Sequence, residues 1–136
     1  MGAWGHGTLE NDSACDWVYS LEATHDFSAI TTAFDEVLNT GHHYLDVDIA
    51  QEALAAVEAL VYLRNKTAYP EKTLSLSAID TWAGKISGPI PSNLIEKAQA
   101  TIKRIIQPPS ELLSLWEAYQ DDFLSEIEAL KNRLIN

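Results

Sequence analysis

Cysteine is nearly absent from this chain, as are long hydrophobic runs. The single cysteine, Cys15, excludes an internal disulfide and a multi-cysteine metal site. No apolar run approaches the roughly 18 residues that cross a bilayer, and the first residues lack the basic and apolar pattern of a secretory signal. His6 stands where the N-myristoylation pattern requires Ser or Thr. We therefore expect a soluble, cytoplasmic protein without a lipid anchor, whose fold depends on packing alone.

Lysine and arginine are missing from the chain before Arg64. Eleven Asp and Glu residues precede Arg64, whereas nine acids and nine bases occur from there onward, so the net charge of -11 belongs to the first half. Such a surface repels nucleic-acid phosphates and attracts cationic partners, although it can also serve solubility alone. We expect a basic protein as partner, with neither nucleic acid nor membrane bound. The candidate partner-binding residues are Trp4, Glu10, Asp12, Asp16, Asp35 and Glu36.

Period-two alternation, the mark of a half-buried strand, is also missing, and apolar residues recur instead at helical spacing. The third helical segment is rich in alanine and apolar nearly all round, which is typical of a central, buried helix. We therefore predict an all-α fold of about six helices in a compact orthogonal or bundle-like array around this helix. The chain 1–136 would form one domain, with an extended Gly- and Trp-containing segment at 1–11.

Capping residues and breakers set the expected helix bounds. The Asn11–Ser13 cluster starts a first helix of about three turns, and Pro108–Pro109 separates the last two helices. The remaining helices are expected over about Phe27–Asn39, from Asp46 to about Asn65, over Leu76–Ile86, from Ser92 to the proline pair, and from Ser110 to about Leu134.

Four residues of metal-binding types cluster within a short stretch, namely His42, His43, Asp46 and Asp48. Together with Glu58 they suggest an alternative function, a metal-assisted or carboxylate hydrolytic enzyme. However, neighbouring ligands on a short loop seldom converge without a partner from elsewhere, and a helix cap already explains one of the aspartates. We therefore expect no cofactor.

Two single residues carry further alternatives. Cys15 lies in the first turn of a helix, which favours a thiolate, but Asp12 and Asp16 oppose that charge, and we expect a packing role. Glu58 lies among small apolar residues. It is either a buried carboxylate that holds the N-terminal segment through backbone N–H groups, Trp4 Nε1 or His6, or part of a wet strip with Gln51 and Tyr62.

Trp4 lies in the glycine-rich segment Gly2-Ala3-Trp4-Gly5-x-Gly7, and three further motifs follow it. They are Glu10-Asn11-Asp12-x-Ala14-x-Asp16-Trp17, Tyr44-Leu45 before an Ala-Ala-x-Glu helix with Glu58, and Leu115-Trp116. Together they resemble the domain of unknown function 4259, a mainly bacterial family. Leu9, where Phe is expected, and the histidine pair before Tyr44 depart from the family pattern.

The resemblance implies no activity, cofactor or catalytic residue. The residues that we assign to its structural motif are Gly2, Trp4, Gly5, Gly7, Asn11, Asp12, Trp17, Glu58 and Trp116. For Trp4 itself, packing against the helices is favoured over a contact surface.

No catalytic motif is assembled in the sequence, so an interaction function comes first among the hypotheses. We expect a small interaction protein of an immunity-like or regulatory kind, which meets a basic partner with its acidic N-terminal half. Besides the hydrolytic enzyme, the other alternative is a homo-oligomeric structural protein whose last helix pairs with its own copy.

Overall fold

Helices make up the whole regular structure of the part of the chain described by the computed structural model, which comprises residue 9 and residues 11–65 and 73–135. The all-α prediction is confirmed. The α-helices, in chain order α1 to α7, are Asp12–Glu22, Ser28–Asn39, Val47–Arg64, Leu74–Ala83, Ser92–Ile105, Glu111–Leu115 and Gln120–Ile135. Residues 1–8 and 10, and with them Trp4, Glu10 and the glycine motif, lie outside this described part.

Four helix starts in the described ranges are capped by polar side chains, those of Asn11, Asp46, Thr73 and Ser110. Asn11 accepts the N–H of Ala14 at 2.7 Å, and Thr73 and Ser110 do the same for α4 and α6. Each cap satisfies a backbone donor that the helix itself leaves without a partner. The expected cap Asn11 is therefore confirmed. The expected cap Ser92 is wrong, because Ser92 is the first residue of α5 and Pro91 precedes it without a side-chain cap. The helix α4 begins at Leu74, two residues before the position that its apolar spacing indicated.

The central position of the alanine-rich third helix is also confirmed. Twelve of the 18 residues of α3 are buried, and α3 packs against each of the other six α-helices. Its alanines allow these neighbours to approach closely, while Leu60 and Tyr62 provide bulk at its C-terminal half. A helix surrounded in this way buries more than one stripe, which explains why its apolar pattern runs nearly all round.

The prediction of one continuous helix from Ser110 to Leu134 is wrong. At Trp116 the backbone leaves the helical conformation, with φ -99° and ψ 17°, and a short 3₁₀ helix, Glu117–Tyr119, connects α6 to α7. The Trp116 ring lies nearly parallel to the Phe123 ring and edge-on to Tyr119, with centroids 6.5 and 6.3 Å away. Aromatic packing favours this turn at a place without proline or glycine.

Two loops are joined beside the start of α3. Leu45 and Ser110 form an isolated parallel bridge, in which Leu45 N–H donates to Pro109 O at 3.1 Å and Leu45 O accepts from Glu111 N–H at 2.9 Å. The guanidinium of Arg104 on α5 donates to four carbonyl oxygens around this bridge at 2.7 to 3.0 Å. The α2–α3 corner is thereby tied to the α5–α6 connection.

None of the helices in the described ranges is long and apolar enough to cross a membrane.

Candidate interaction surface

Four carboxylates converge where α2 ends and α3 begins. Glu36 comes from the last turn of α2, Asp46 caps α3, and Asp48 and Glu52 follow on the first turns of α3. The pKa of Glu52 is raised above its ordinary value by burial first and then by the negative charges of Glu36, Asp48 and Asp46. We call these four residues the acidic cluster. Glu52 lies close enough to the other three for their charges to oppose its ionisation.

Local structure explains why two members of the acidic cluster lie at the start of α3. The Asp46 carboxylate accepts the N–H of Asp48 at 2.8 Å, and the Asp48 carboxylate accepts the Ser13 hydroxyl of α1 at 2.7 Å. The N-terminus of a helix also carries a partial positive charge that stabilises nearby acids. Asp46 and Asp48 therefore have a structural role, whereas no such role is evident for Glu36 and Glu52.

Most Lys and Arg side chains in the described ranges bind groups outside the acidic cluster. Of the seven Lys and Arg residues in the described ranges, five bind groups outside the acidic cluster. Arg64 donates to Leu134 O, Lys85 to Glu22 O, Lys97 to Asp35, Arg104 to loop carbonyls, and Arg133 pairs with Glu58. The acidic cluster is consequently not neutralised by these side chains.

The predicted partner-binding residues have different surroundings in the structure. Asp12 and Asp16 are exposed on α1, next to the Ser13 contact with Asp48, and Glu36 is exposed within the acidic cluster. Asp35 instead forms an ion pair with Lys97 at 2.6 Å. Trp4 and Glu10 lie outside the described residues.

Glu52 was not among the site residues predicted from the sequence, and Asp46 and Asp48 were predicted as metal ligands and not as partner contacts. The available signal was the unopposed acidic run, in which all three occur. What the run could not show is that the end of α2 meets the first turns of α3.

The four candidate metal ligands do not form a joint site. His42 and His43 are exposed in the α2–α3 loop, where the His43 carbonyl oxygen is held by Arg104 at 2.7 Å. Asp46 and Asp48 are engaged in the capping and hydroxyl contacts described above. Across the described residues, no group of three or more His, Cys, Asp or Glu side chains is arranged to hold a metal ion.

Glu58 is buried on α3, with 5% of its surface exposed. Its carboxylate forms an ion pair with the Arg133 guanidinium of α7, at 3.7 Å between Oε1 and Nη2. The alternative of a wet strip is wrong, because Gln51 and Tyr62 are buried as well, and the Tyr62 hydroxyl donates to Asp80 at 2.8 Å. Trp4 and His6, the expected partners of a buried Glu58, lie outside the described residues.

Cys15 is half-buried between α1 and α4. Its sulfur lies 3.3 Å from the Ser75 hydroxyl and donates to the Leu9 carbonyl oxygen at 3.6 Å. These contacts agree with the expected packing role. A base that could activate a nucleophile is not among them.

Three motif residues inside the described part support the fold. Asn11 is buried and caps α1, Trp17 packs half-buried against the core, and Trp116 stacks on Phe123 at the α6–α7 turn. None of these three contributes to the acidic cluster, whereas the motif residue Asp12 is exposed on α1.

Comparison with known proteins gives one match. Residues 2–128 match the family model described as Domain of unknown function (DUF4259). Neither the search of curated proteins nor the search of solved structures produced a match.

Proposed function

Since this chain belongs to the domain of unknown function 4259 family, which carries no assigned activity, we propose from its geometry that it is a protein-interaction module of an immunity-like or regulatory kind. In this proposal the acidic cluster binds a basic protein, and Asp12 and Asp16 extend the acidic surface along α1. The observation that carries the proposal is the placement of Glu52 beside Glu36, Asp46 and Asp48 where α2 ends and α3 begins.

The raised pKa of Glu52 means that its charged form costs free energy in the free protein. A lysine or arginine from a partner would remove part of that cost on binding, which gives the cluster a differential affinity for cations. Five of the seven described Lys and Arg side chains bind other groups and so do not neutralise the cluster.

An acidic surface that served solubility alone would not need this arrangement. Solubility depends on net charge and is obtained with well separated carboxylates, whereas clustering adds repulsion that lowers the stability of the fold. The grouping of the half-buried Glu52 with three exposed carboxylates therefore favours an interaction surface. Metal-assisted hydrolysis is not proposed, since the described residues bring no metal-binding group together.

A first experiment asks whether the cluster is the preferred cation site of the surface. Hexalysine is titrated into the isotopically labelled protein, and backbone amide shifts are followed by NMR. We expect the largest shifts at Glu36, Asp46, Asp48 and Glu52, and their loss when the salt concentration is raised. Shifts spread evenly over acids of both halves of the chain would contradict the proposal.

A second experiment tests for the partner itself. Affinity capture from the native host is carried out with the wild type and with the charge-reversed variant E36K/E52K. We expect a basic protein that is retained by the wild type and lost with this variant. The matched control E96K/E126K reverses two acids on α5 and α7 and should keep the partner. Equal loss with both variants would mean that net charge, and not the cluster, determines binding.

A further inference from the structure

A second surface with its own charge pattern lies between α5 and α7. A groove of about 360 Å³ opens there, and its floor includes Ile102 and Ile127, which are almost fully buried, and the half-buried Ile106. Lys103 and Lys131 stand exposed at its rim, with Glu128 beside them. The groove thus combines an apolar floor with two ammonium groups and one carboxylate.

The two rim lysines differ from the other described cations. Each of the other five binds a carbonyl or carboxylate of the chain, as given above. Within the described ranges, Lys103 and Lys131 form no ion pair within 4.0 Å and no hydrogen bond to a protein acceptor. Both therefore remain available for carboxylates from outside the molecule.

A surface of the opposite character lies at the α6–α7 turn, residues 115–122. Leu115 and Tyr119 are large apolar or aromatic side chains with 53% and 61% of their surface exposed. Glu117, Asp121 and Asp122 are exposed between and after them. Stacking of Trp116 on Phe123 holds this turn against α7, so its exposed side chains are presented by an ordered support.

We propose that a second copy of this chain docks on the α5–α7 groove with its α6–α7 turn. Leu115 and Tyr119 of the second copy contact the groove chiefly at the half-buried Ile106, and the carboxylates of Asp121 and Asp122 meet Lys103 and Lys131. Apolar burial supplies the affinity, while the paired charges set the register. The acidic cluster of the proposed function takes no part in this contact, so the two proposals can fail separately.

The experiment measures molar mass by light scattering and sedimentation over about a hundredfold range of protein concentration. We expect the wild type to pass from monomer to a self-associated species. The variants K103E/K131E and D121K/D122K should each lower the association constant by about tenfold or more. An equimolar mixture of the two should associate again, because each reversed surface then meets its complement. Thermal melts confirm that both variants are folded.

E22K/E96K is the matched control, since it reverses the same number of acids away from the turn, the groove and the acidic cluster, and it should associate at least as well as the wild type. Replacement of Tyr119 by Ser should weaken association without any change of charge. A wild type that stays monomeric throughout, full association of K103E/K131E, or a mixture that stays monomeric would each overturn the proposal.

Discussion

The Glu111 carboxylate of α6 accepts the backbone N–H of Val47, the first residue of α3, at 3.0 Å. A side chain 64 positions further along the chain thus caps the central helix, next to the Asp46 cap on Asp48 N–H. The negative charge also lies at the positive end of the helix dipole. Two separate segments therefore cooperate to satisfy the donors at the start of α3.

Removal of the Glu111 carboxylate should destabilise the protein. We expect Glu111→Ala to lower the free energy of unfolding by about 1 kcal/mol, the typical cost of a lost helix cap. Urea denaturation followed by circular dichroism measures this difference. Glu117→Ala, an exposed change in the neighbouring 3₁₀ helix, should cost less. An equal loss in both variants would show that the cap at Val47 contributes nothing of its own.

Neutralising Glu52 should stabilise the fold, in contrast to most substitutions. At neutral pH Glu52→Gln removes a charge that burial and the neighbouring Glu36, Asp48 and Asp46 disfavour. Solvent screens this half-buried site, so we expect a gain below about 1 kcal/mol. Thermal melts at low ionic strength measure the gain, and Glu96→Gln provides a control with the same change in net charge.

The gain from Glu52→Gln should also depend on pH. Because the pKa of Glu52 is higher in the folded than in the unfolded protein, the folded state binds more protons, and its stability falls as pH rises through this interval. As pH falls below the ordinary value of 4.5, Glu52 is protonated in both states and the advantage of Gln disappears. A gain that stays constant from pH 7 to acidic pH would contradict this reading.

Loss of the Arg104 guanidinium should destabilise the two joined loops. Its guanidinium donates to the carbonyl oxygens of Gly41, His43, Gln107 and Pro109. We expect Arg104→Met to cost about 2 kcal/mol, and Arg104→Lys to recover only part of it, because one ammonium group cannot reproduce a planar fork. Hydrogen exchange at the amides of Leu45 and Glu111 should accelerate. Unchanged exchange at both amides would exclude a role of Arg104 in holding the bridge.

The ion pair between Glu58 and Arg133 predicts an asymmetry between two substitutions. Arg133→Met leaves a buried carboxylate without this cation, whereas Glu58→Gln removes the buried charge itself. With Arg133 37% exposed, we expect a loss of about 2 kcal/mol for Arg133→Met and a smaller one for Glu58→Gln. A double-mutant cycle measured by urea denaturation gives the coupling. Additive effects would show that the pair contributes nothing.

Local signals in the sequence were sufficient for most helices. Caps at Asn11 and Asp46 and the helical spacing of apolar residues depend on contacts within a few positions, and these survive in the folded protein. The break at Trp116 could not be predicted in this way, because it accompanies a ring stack with Phe123 and involves no proline or glycine.

The sequence predicted the charge of the candidate surface but not which acids form it. The unopposed acids before Arg64 are a property of composition, so the sign and general location of the charge followed directly. Which acids act together did not follow, since Asp35 pairs with a lysine 62 positions away whereas Glu52 joins Asp46, Asp48 and Glu36.

The all-α class, the buried alanine-rich helix and the acidic first half could be predicted from the amino-acid sequence, because local hydrogen bonding, side-chain periodicity and formal charge do not depend on distant residues. The packing of the helices was needed to bury Glu58 beside Arg133, to bring Glu111 to the start of α3, and to group four carboxylates at one corner. These relationships join residues from separate helices, and their strength is set by distance and burial, which exist only once the helices have packed.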